Sequence, residues 1–422
     1  MSYEQMWTDL GLNLEAHDGL LNVLGQFYQD IYLSQENRPK TTEYVDFVLS
    51  EIHGFRVQEL VEAKKAGRKV IGSFCVFVPE EIIIAANAVS VGLCSGAEIG
   101  NELAEQYLPR NTCALIKSFA GFKLAKVCPY IEVSDMIVGE TTCDGKKKSF
   151  EIFGEMIPLH VMEIPQMKIQ SDKDLWKAEV MRFKDELEKL TGNKITEEKL
   201  AEAIKIVNNK RKALYRLNEL RKAVPTPISG RDVLLINQIA FFDDPVRFTQ
   251  KVHEICDEVE KRVEAKEGMT APGTKRLLMS GCPMAAPNWK THFLVESSGA
   301  VIVGEESCVG TRGTRNLVDE GAQGLDSMID NIVDRYFQID CAVFTPNEDR
   351  NKHIIEMAKD LNVDGVVHYS LQFCQPYQIE SFRVEKALEK EGIPLLKIET
   401  DYSMEDMEIL KNRIDAFLGM LK

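Results

Sequence analysis

The sequence predicts an α/β protein with two Rossmann-like parallel-sheet domains, a helical N-terminal segment and a helical middle layer. Short apolar runs alternate with amphipathic helical patterns in both halves of the chain, which is the rhythm of parallel β-α-β units. Between the two halves the chain changes to long, charged helical patterns such as TEEKLAEAIKIVNNKRKALYRL. We therefore expect a helical segment over 1–66, an α/β domain over 67–165, a helical layer over 166–270 and a second α/β domain over 271–422.

The elements of the first half follow from apolar periodicity and from the residues that begin helices. Residues 1–66 carry apolar side chains at helical spacing, as in EYVDFVLSEIHGFRVQELVEAKKAG. Pro79 is placed to open a helix, since proline is favoured in the first helical turn. Strands are predicted in KVIGSFCVFV (69–78), SDMIVGE (134–140) and IPLHVMEIP (157–165), and a helix over 112–127. A further helix should begin at Asp144 or just after it.

The second half repeats this alternation after the loop MTAPGTK. Its predicted strands are RLLMSG, AVIVGEE, GVVHYSLQF and IPLLKIET. Its predicted helices are DSMIDNIVDRYF, EDRNKHIIEMAKDL, ESFRVEKALEKEG and MEDMEILKNRIDAFLGML. In open sheets of this kind ligands bind beyond the carboxyl ends of the strands, so residues just after each strand are the first candidates for a site.

Charge and composition exclude several classes of function. The 422 residues carry a net charge of −15, whereas nucleic acid and anionic membranes attract proteins with a basic surface. The N-terminus is acidic and lacks the regions of a signal peptide, and the run IIIAANAVSVGL is too short to span a bilayer. We therefore expect a soluble cytoplasmic protein. The sequence contains no G-x-x-x-x-G-K-[ST], so the chain is not expected to bind ATP through a P-loop.

The ten cysteines are the residues that most strongly suggest chemistry, because structural disulfides are rare in a reducing cytosol. Cys75 lies inside a predicted strand and Cys256 inside a predicted helix, so both are expected to be packing residues. Cys143, Cys308 and Cys374 each follow a predicted strand. Thiols from both domains are therefore expected at the cleft between them.

The spacing of the thiols argues against some kinds of metal site but does not identify one. Equal intervals occur in each half: 15 residues between Cys113, Cys128 and Cys143, and 33 residues between Cys308, Cys341 and Cys374. The sequence has neither a C-x₂-C pair nor the ferredoxin run C-x₂-C-x₂-C, which argues against a zinc ribbon and a ferredoxin site. From the residues alone, an iron–sulfur cluster and buried structural thiols remain open alternatives.

Three lysines follow the cysteine in the stretch GETTCDGKKK. A thiolate-ligated cluster is anionic, and a helix N-terminus with nearby cations lowers the cost of that charge. Lys146, Lys147 and Lys148 are candidates to offset the charge of a cluster, to guide a protein partner, or simply to face water. The sequence leaves these three roles open.

The chain contains four motifs that are separated along the sequence: KVCPYIEVSDMIVGETTCDGKKK, GEESCVGTRG, DCAVFTPN and LQFCQPYQIESF. Together they resemble the 2-hydroxyacyl-CoA dehydratase and benzoyl-CoA reductase superfamily, and within it the double-cubane cluster proteins. The resemblance runs from about residue 66 to the C-terminus. It implies dehydratase-type cluster ligands at Cys113, Cys143 and Cys374, and additional double-cubane ligands at Cys128, Cys308 and Cys341. Cys282 is the first alternative ligand and Cys94 a weaker one.

The resemblance also implies a function. The chain would be an iron–sulfur reductase component with one double-cubane 8Fe-9S cluster, or a single 4Fe-4S cluster as the fallback. It would form a homodimer and take low-potential electrons from an ATP-hydrolysing reductase, itself a 4Fe-4S protein, to reduce a small molecule. A radical 2-hydroxyacyl-CoA dehydratase subunit and an electron-storage protein are the competing hypotheses. Glu305, Glu306, His368 and Tyr369 are candidate proton donors, although we expect them to be structural.

Overall fold

Two parallel four-stranded sheets organise the protein, and the strand Val89–Gly92 of the first sheet was not among the predicted strands. The computed structural model describes residues 2–93 and 95–421. The first sheet comprises β1 (Val70–Ser73), β2 (Val89–Gly92), β3 (Met136–Glu140) and β4 (Leu159–Met162). The second comprises β5 (Lys275–Gly281), β6 (Ala300–Glu306), β7 (Gly365–Leu371) and β8 (Leu395–Thr400). Neighbouring strands pair in parallel, which confirms the predicted fold class.

Helices surround both sheets. The N-terminal segment holds α1 (Tyr3–Asp9), α2 (Leu14–Tyr28), α3 (Glu43–Ser50) and α4 (Phe55–Lys65). The first sheet is accompanied by α5 (Glu80–Ala85), α6 (Asn101–Ala104), α7 (Ala114–Leu124), α8 (Pro129–Val133) and α9 (Asp144–Phe153). The middle layer consists of α10 (Gln170–Thr191), α11 (Glu197–Leu220), α12 (Gly230–Ile239) and α13 (Pro245–Ala265). The second sheet is accompanied by α14 (Lys290–Ser297), α15 (Thr311–Thr314), α16 (Leu325–Phe337), α17 (Glu348–Asp360), α18 (Gln375–Lys390) and α19 (Met407–Met420).

Both sheets have the same strand order, β2-β1-β3-β4 in the first and β6-β5-β7-β8 in the second. The order reverses between β1 and β3 and again between β5 and β7. Such a reversal opens a crevice at the carboxyl ends of the strands, where open α/β sheets bind their ligands. The chain therefore builds two equivalent ligand-binding edges. None of the helices in the described ranges is long and apolar enough to cross a membrane.

The helical layer ties the two sheets together through buried ion pairs. Arg211 on α11 lies 2.6 Å from Glu81 on α5, and Tyr336 on α16 donates its hydroxyl to the same carboxylate at 2.7 Å. Arg221, just after α11, donates to Glu305 on β6 at 2.8 Å. All five side chains are buried, and removing one partner of a buried pair typically costs about 3–5 kcal/mol. We infer that this layer holds the cleft between the sheets at a fixed width.

The first strand is shorter than the sequence predicts, and this changes the position of Cys75. β1 ends at Ser73, whereas the prediction extended the strand to Val78. Phe74 leaves the sheet and packs on Phe119 with 4.6 Å between ring centroids, so the apolar pattern continues through a half-buried turn. The expectation that Cys75 packs inside a strand was wrong. It lies beyond the carboxyl end of β1, at the edge where ligands bind.

Candidate functional site

Seven thiols line one narrow cavity between the two sheets. The cavity has a volume of about 90 Å³, and its cysteines are Cys75, Cys113, Cys143, Cys282, Cys308, Cys341 and Cys374. Apolar side chains, including Phe74, Val76 and Phe241, form much of the remaining wall. Three of the thiols come from segments around the first sheet and four from segments around the second. Neither half of the chain could therefore build this cavity alone.

The inner thiol group, Cys75, Cys308 and Cys341, adjoins a buried cation. The Cys75 thiol hydrogen-bonds Cys308, and Arg312 Nη1 lies 3.4 Å from the Cys308 sulfur. These two neighbours lower the pKa of Cys308 to about 6, although burial opposes them. Burial raises the pKa of Cys341 to about 11. The protein thus stabilises a thiolate at one position of the inner group by its own side chains.

Arg312 is held in place by a buried network of charges. Its Nη2 lies 2.6 Å from Glu306, and Arg350 Nη2 lies 3.1 Å from the other oxygen of that carboxylate. Arg312 also donates to the hydroxyl of Tyr377, and Arg350 pairs with Glu380. Burial alone would raise the pKa of Glu306, but the two guanidinium groups outweigh it and lower that pKa to about 2. The network fixes one positive charge against the Cys308 sulfur.

The outer thiol group, Cys113, Cys143 and Cys374, stands at the N-termini of three helices. These residues directly precede α7, α9 and α18, and α9 begins at Asp144 as predicted. Cys113 and Cys374 share a thiol hydrogen bond, and the backbone N–H of Lys146 donates to the Cys143 sulfur at 3.4 Å. The partial positive charge of a helix N-terminus favours an anionic sulfur. The outer group also faces an open cleft of about 1330 Å³.

Cys282 is the seventh thiol of the cavity and has 1% of its surface exposed. It follows β5 directly, and its sulfur accepts the N–H of Leu371 at 3.4 Å. A hydrogen bond with Cys374 places it beside the outer group. Cys282 is therefore positioned as an alternative ligand, whereas Cys94 lies outside the residues that the structure describes.

The three lysines after Cys143 lie in three different environments. Lys146 is buried, lines the thiol cavity and forms an ion pair with the buried carboxylate of Glu140. Lys147 borders the open cleft and pairs with an aspartate of its own helix. Lys148 pairs with a glutamate on the exposed face of α9. Of the three, Lys146 is the one placed to offset negative charge inside the cavity.

The structure does not bring Cys128 to the other five predicted ligands. Cys128 lines a separate apolar cavity with His53 and Tyr130, and burial raises the pKa of its thiol to about 11. Cys256 packs inside α13, with its sulfur 3.9 Å from a backbone carbonyl. Beside the five predicted thiols the cavity contains Cys75, which was expected to be a packing residue, and Cys282.

A comparison of the two sheets contains the signal that would have identified Cys75. Cys75 and Cys282 both follow the first strand of their sheet. Cys143 and Cys374 both follow the third strand and precede a helix. Each half of the chain thus places thiols at the same two points of the same topology, and Cys75 belongs to that pattern.

The four candidate proton donors are all tied to neighbouring groups or buried. Glu305 and Glu306 pair with arginines, which lower the pKa of each carboxyl to about 2 against the effect of burial. Burial lowers the pKa of His368 to about 3 and raises that of Tyr369 well above its usual range. None of these four side chains changes its charge near neutral pH. A reductive reaction would have to draw its protons from other groups.

The donors of the thiol cavity are of the kind that an iron–sulfur cluster requires. Within residues 2–93 and 95–421, no three His, Cys, Asp or Glu side chains converge on one point that could hold a metal ion. The sulfurs surround a cavity instead, and soft thiolates from distant segments suit iron–sulfur clusters. Helix N-termini, Arg312 and Lys146 supply positive charge beside an anionic group. The residues present therefore fit an iron–sulfur cluster.

Known proteins match most of the chain. The family described as 2-hydroxyglutaryl-CoA dehydratase, D-component, matches residues 75–421. The putative dehydratase subunit YjiM of Escherichia coli (strain K12) is 38% identical over 86% of this chain and 94% of its own. The (R)-phenyllactyl-CoA dehydratase beta subunit of Clostridium sporogenes is 28% identical over 84% of this chain and 92% of its own. A subunit of the benzoyl-CoA reductase of Thauera aromatica is 22% identical over 84% of this chain and 91% of its own.

Proposed function

Because this chain belongs to the 2-hydroxyglutaryl-CoA dehydratase D-component family, we propose that it is an iron–sulfur reductase component. It binds a double-cubane 8Fe-9S cluster and takes low-potential electrons from an ATP-hydrolysing partner that carries a 4Fe-4S cluster. It uses these electrons to reduce a small molecule. The names of the relatives place dehydratase and reductase subunits in one family, which supports this reaction class.

The number and grouping of the thiols carry the proposal. A single cubane has four iron corners for protein ligands, and the cavity contains seven thiols. We propose that the outer group of Cys113, Cys143 and Cys374 holds one cubane. The inner group of Cys75, Cys308 and Cys341 holds the other. This ligand set keeps five of the residues proposed from the sequence and replaces Cys128 by Cys75.

The cluster would supply one-electron chemistry that no side chain can perform. The protein contributes the ligands, the apolar wall and the fixed charges around them. Arg312 holds a positive charge against the inner group, and Lys146 does so from the α9 side of the cavity. The open cleft at the outer group offers room for a partner protein or a substrate to approach.

The open cleft also favours a second candidate, a dehydratase subunit with one 4Fe-4S cluster. In that case Cys113, Cys143 and Cys374 would hold the single cubane. The cleft of about 1330 Å³ beside them is large enough for a bulky acyl thioester. The inner thiols would then be structural.

Iron content decides between the two candidates. Anaerobically purified protein should contain about eight irons per chain for a double cubane and about four for a single cubane. Cys75→Ser should lower the iron content and alter the EPR spectrum. Cys128→Ser should leave both as they are, and Cys256→Ala serves as the packing control. Unchanged iron in Cys75→Ser would remove the inner group from the ligand set.

The partner and the oligomeric state have tests of their own. Addition of a purified ATP-hydrolysing reductase of the same cell, with ATP, should reduce the iron–sulfur centre. ATP alone should not reduce the centre, because the sequence has no P-loop.

Light scattering should give twice the mass of the chain if the proposed homodimer is correct. A monomer at micromolar concentration would overturn that part of the proposal.

A further inference from the structure

A second, polar cavity lies behind the inner thiol group. It has a volume of about 80 Å³, and Cys75, Cys308 and Phe241 line both this cavity and the thiol cavity. Its wall also carries Glu80, at the start of α5, and Lys210 on α11. Cys75 and Cys308 of the inner group therefore face two cavities, one that they share with the outer group and one that contains charged side chains.

The chemistry of the wall indicates that this cavity holds water. Asn237 is 2% exposed, and its Nδ2 has no hydrogen-bond partner among the described residues. Ser73 and Ser90 add hydroxyl groups to the same wall. A buried water needs about 10–15 Å³ and two to four polar partners, so a cavity of this size has room for several. Water would give Asn237 the partner that the protein itself does not supply.

Glu80 borders both the polar cavity and the protein surface. A surface cleft of about 620 Å³ shares Glu80 and Ser90 with the polar cavity. Glu80 Oε2 lies 2.5 Å from Lys210 Nζ, and the two side chains are 20% and 11% exposed. Lys210 also donates to the carbonyl of Ala240 at 3.3 Å. An ammonium group has three N–H bonds, so one remains available to a water in the cavity that Lys210 lines.

From this arrangement we propose that the Glu80–Lys210 pair is the proton entry to the inner thiol group. The inference rests on the reductive function proposed above, because a reaction that adds electrons to a small molecule also consumes protons. Lys210 Nζ releases a proton to a water of the polar cavity. Glu80 takes a proton from the surface cleft and returns it to Lys210. Both residues end in the state in which they began, and the net change is one proton moved from solvent to the thiol side.

The neighbouring charged groups do not compete for this role. Glu81 is committed to Arg211 in the buried pair between α5 and α11. Tyr336 accepts the backbone N–H of Glu80 at 3.2 Å, and burial raises the pKa of its hydroxyl well above the usual range. Burial lowers the pKa of Arg335 to about 9, so this guanidinium still carries its charge at neutral pH. The pair between the surface cleft and the cavity is thus the group placed to exchange protons.

The first test separates electron uptake from proton-consuming turnover. Hydrogen evolution driven by titanium(III) citrate is the probe, because the proton is then the substrate. Glu80→Gln and Lys210→Met are expected to keep the iron content, the EPR spectrum and the rate of electron uptake. Hydrogen evolution should fall by about tenfold or more, with a larger solvent isotope effect. Lys212→Met is the matched control, because Lys212 lies on the same helix in an exposed pair with Glu320 at 3.0 Å.

The second test is structural and does not depend on the cluster. A crystal structure should show ordered water between Lys210 Nζ and the wall formed by Cys75 and Cys308. Asn237→Leu keeps the size of the side chain and should remove this water and slow hydrogen evolution, with the Glu80–Lys210 pair intact. A dry cavity, or wild-type hydrogen evolution in Glu80→Gln and Lys210→Met, would overturn the proton entry. Missing iron in the wild-type protein would instead overturn the proposed function.

Discussion

The two thiol groups contain three cysteines each, but the protein stabilises them in different ways. The outer group uses backbone amides, since each of its cysteines precedes a helix, and it borders an open cleft. The inner group uses a side chain, because Arg312 donates to the Cys308 sulfur from within a buried network. Positive charge at the outer group is therefore supplied by the backbone of the helix that follows each cysteine. Positive charge at the inner group depends on side chains that the tertiary fold brings together.

This difference suggests that the two thiol groups have different roles. A group that borders an open cleft is accessible to large molecules, so the outer group is suited to a partner or a bulky substrate. The inner group adjoins a polar cavity of about 80 Å³, which admits water but no large molecule. In the proposed reductase, electrons and protons would thus reach the thiol cavity through different groups of thiols.

The largest expected effect lies in the charge network of the inner group. Arg312→Met leaves the buried Glu306 with Arg350 as its remaining cationic partner. We expect the free energy of unfolding of the metal-free protein to fall by about 3 kcal/mol at neutral pH. Urea denaturation measures this change, and Lys148→Met is the control from the exposed face of α9. Equal stability of Arg312→Met and Lys148→Met would contradict the conclusion that the inner group depends on a buried network of charges.

The same variant carries a pH signature. The pKa of Glu306 is about 2 in the folded protein, below its usual value of 4.5, so its stabilisation is present above pH 4.5. That stabilisation is lost as the pH falls from about 4.5 toward 2, because the carboxyl becomes protonated. The stability difference between wild type and Arg312→Met should therefore shrink on acidification. A difference that stays constant down to about pH 3 would show that charge is not its cause.

Most strands and helices could be predicted from the sequence, because apolar periodicity and helix-starting residues are local signals, but β2 and α14 were not foreseen. Cys143 and Cys374 could be placed for the same reason, since they follow apolar strand patterns, whereas the assignment of Cys113 as a ligand came from the resemblance to the family. Local patterning alone could not place Cys75, because the run GSFCVFV is apolar on both sides of the point where β1 ends. The role of Arg312 was equally hidden, since its contacts with Glu306 and Cys308 depend on the folded loop after β6.

A smaller effect concerns the access of reagents to the thiols. A bulky maleimide should label Cys113, Cys143 and Cys374 of the metal-free protein faster than Cys308, because the three residues line the open cleft, although burial and neighbouring thiols raise the pKa of all three. Iodoacetamide is much smaller, and the pKa of Cys308, lowered to about 6, makes its thiolate reactive. The preference for the outer group should therefore narrow with the smaller reagent. Mass spectrometry of timed digests measures both rates, and a preference independent of reagent size would contradict the enclosed inner group.

The smallest expected effect comes from the two exposed lysines of α9. Their ion pairs are with residues of the same helix, and exposed pairs of this kind add little to stability. Lys147→Ala and Lys148→Ala should therefore leave Tm unchanged to within about 1 °C.

Lys147 borders the open cleft, so its loss should change electron uptake from the partner by about twofold at low salt. Above roughly 0.15 M salt, screening should remove that effect. An equal response in Lys148→Ala would mean that the charge of the helix, and not its position at the cleft, influences the partner.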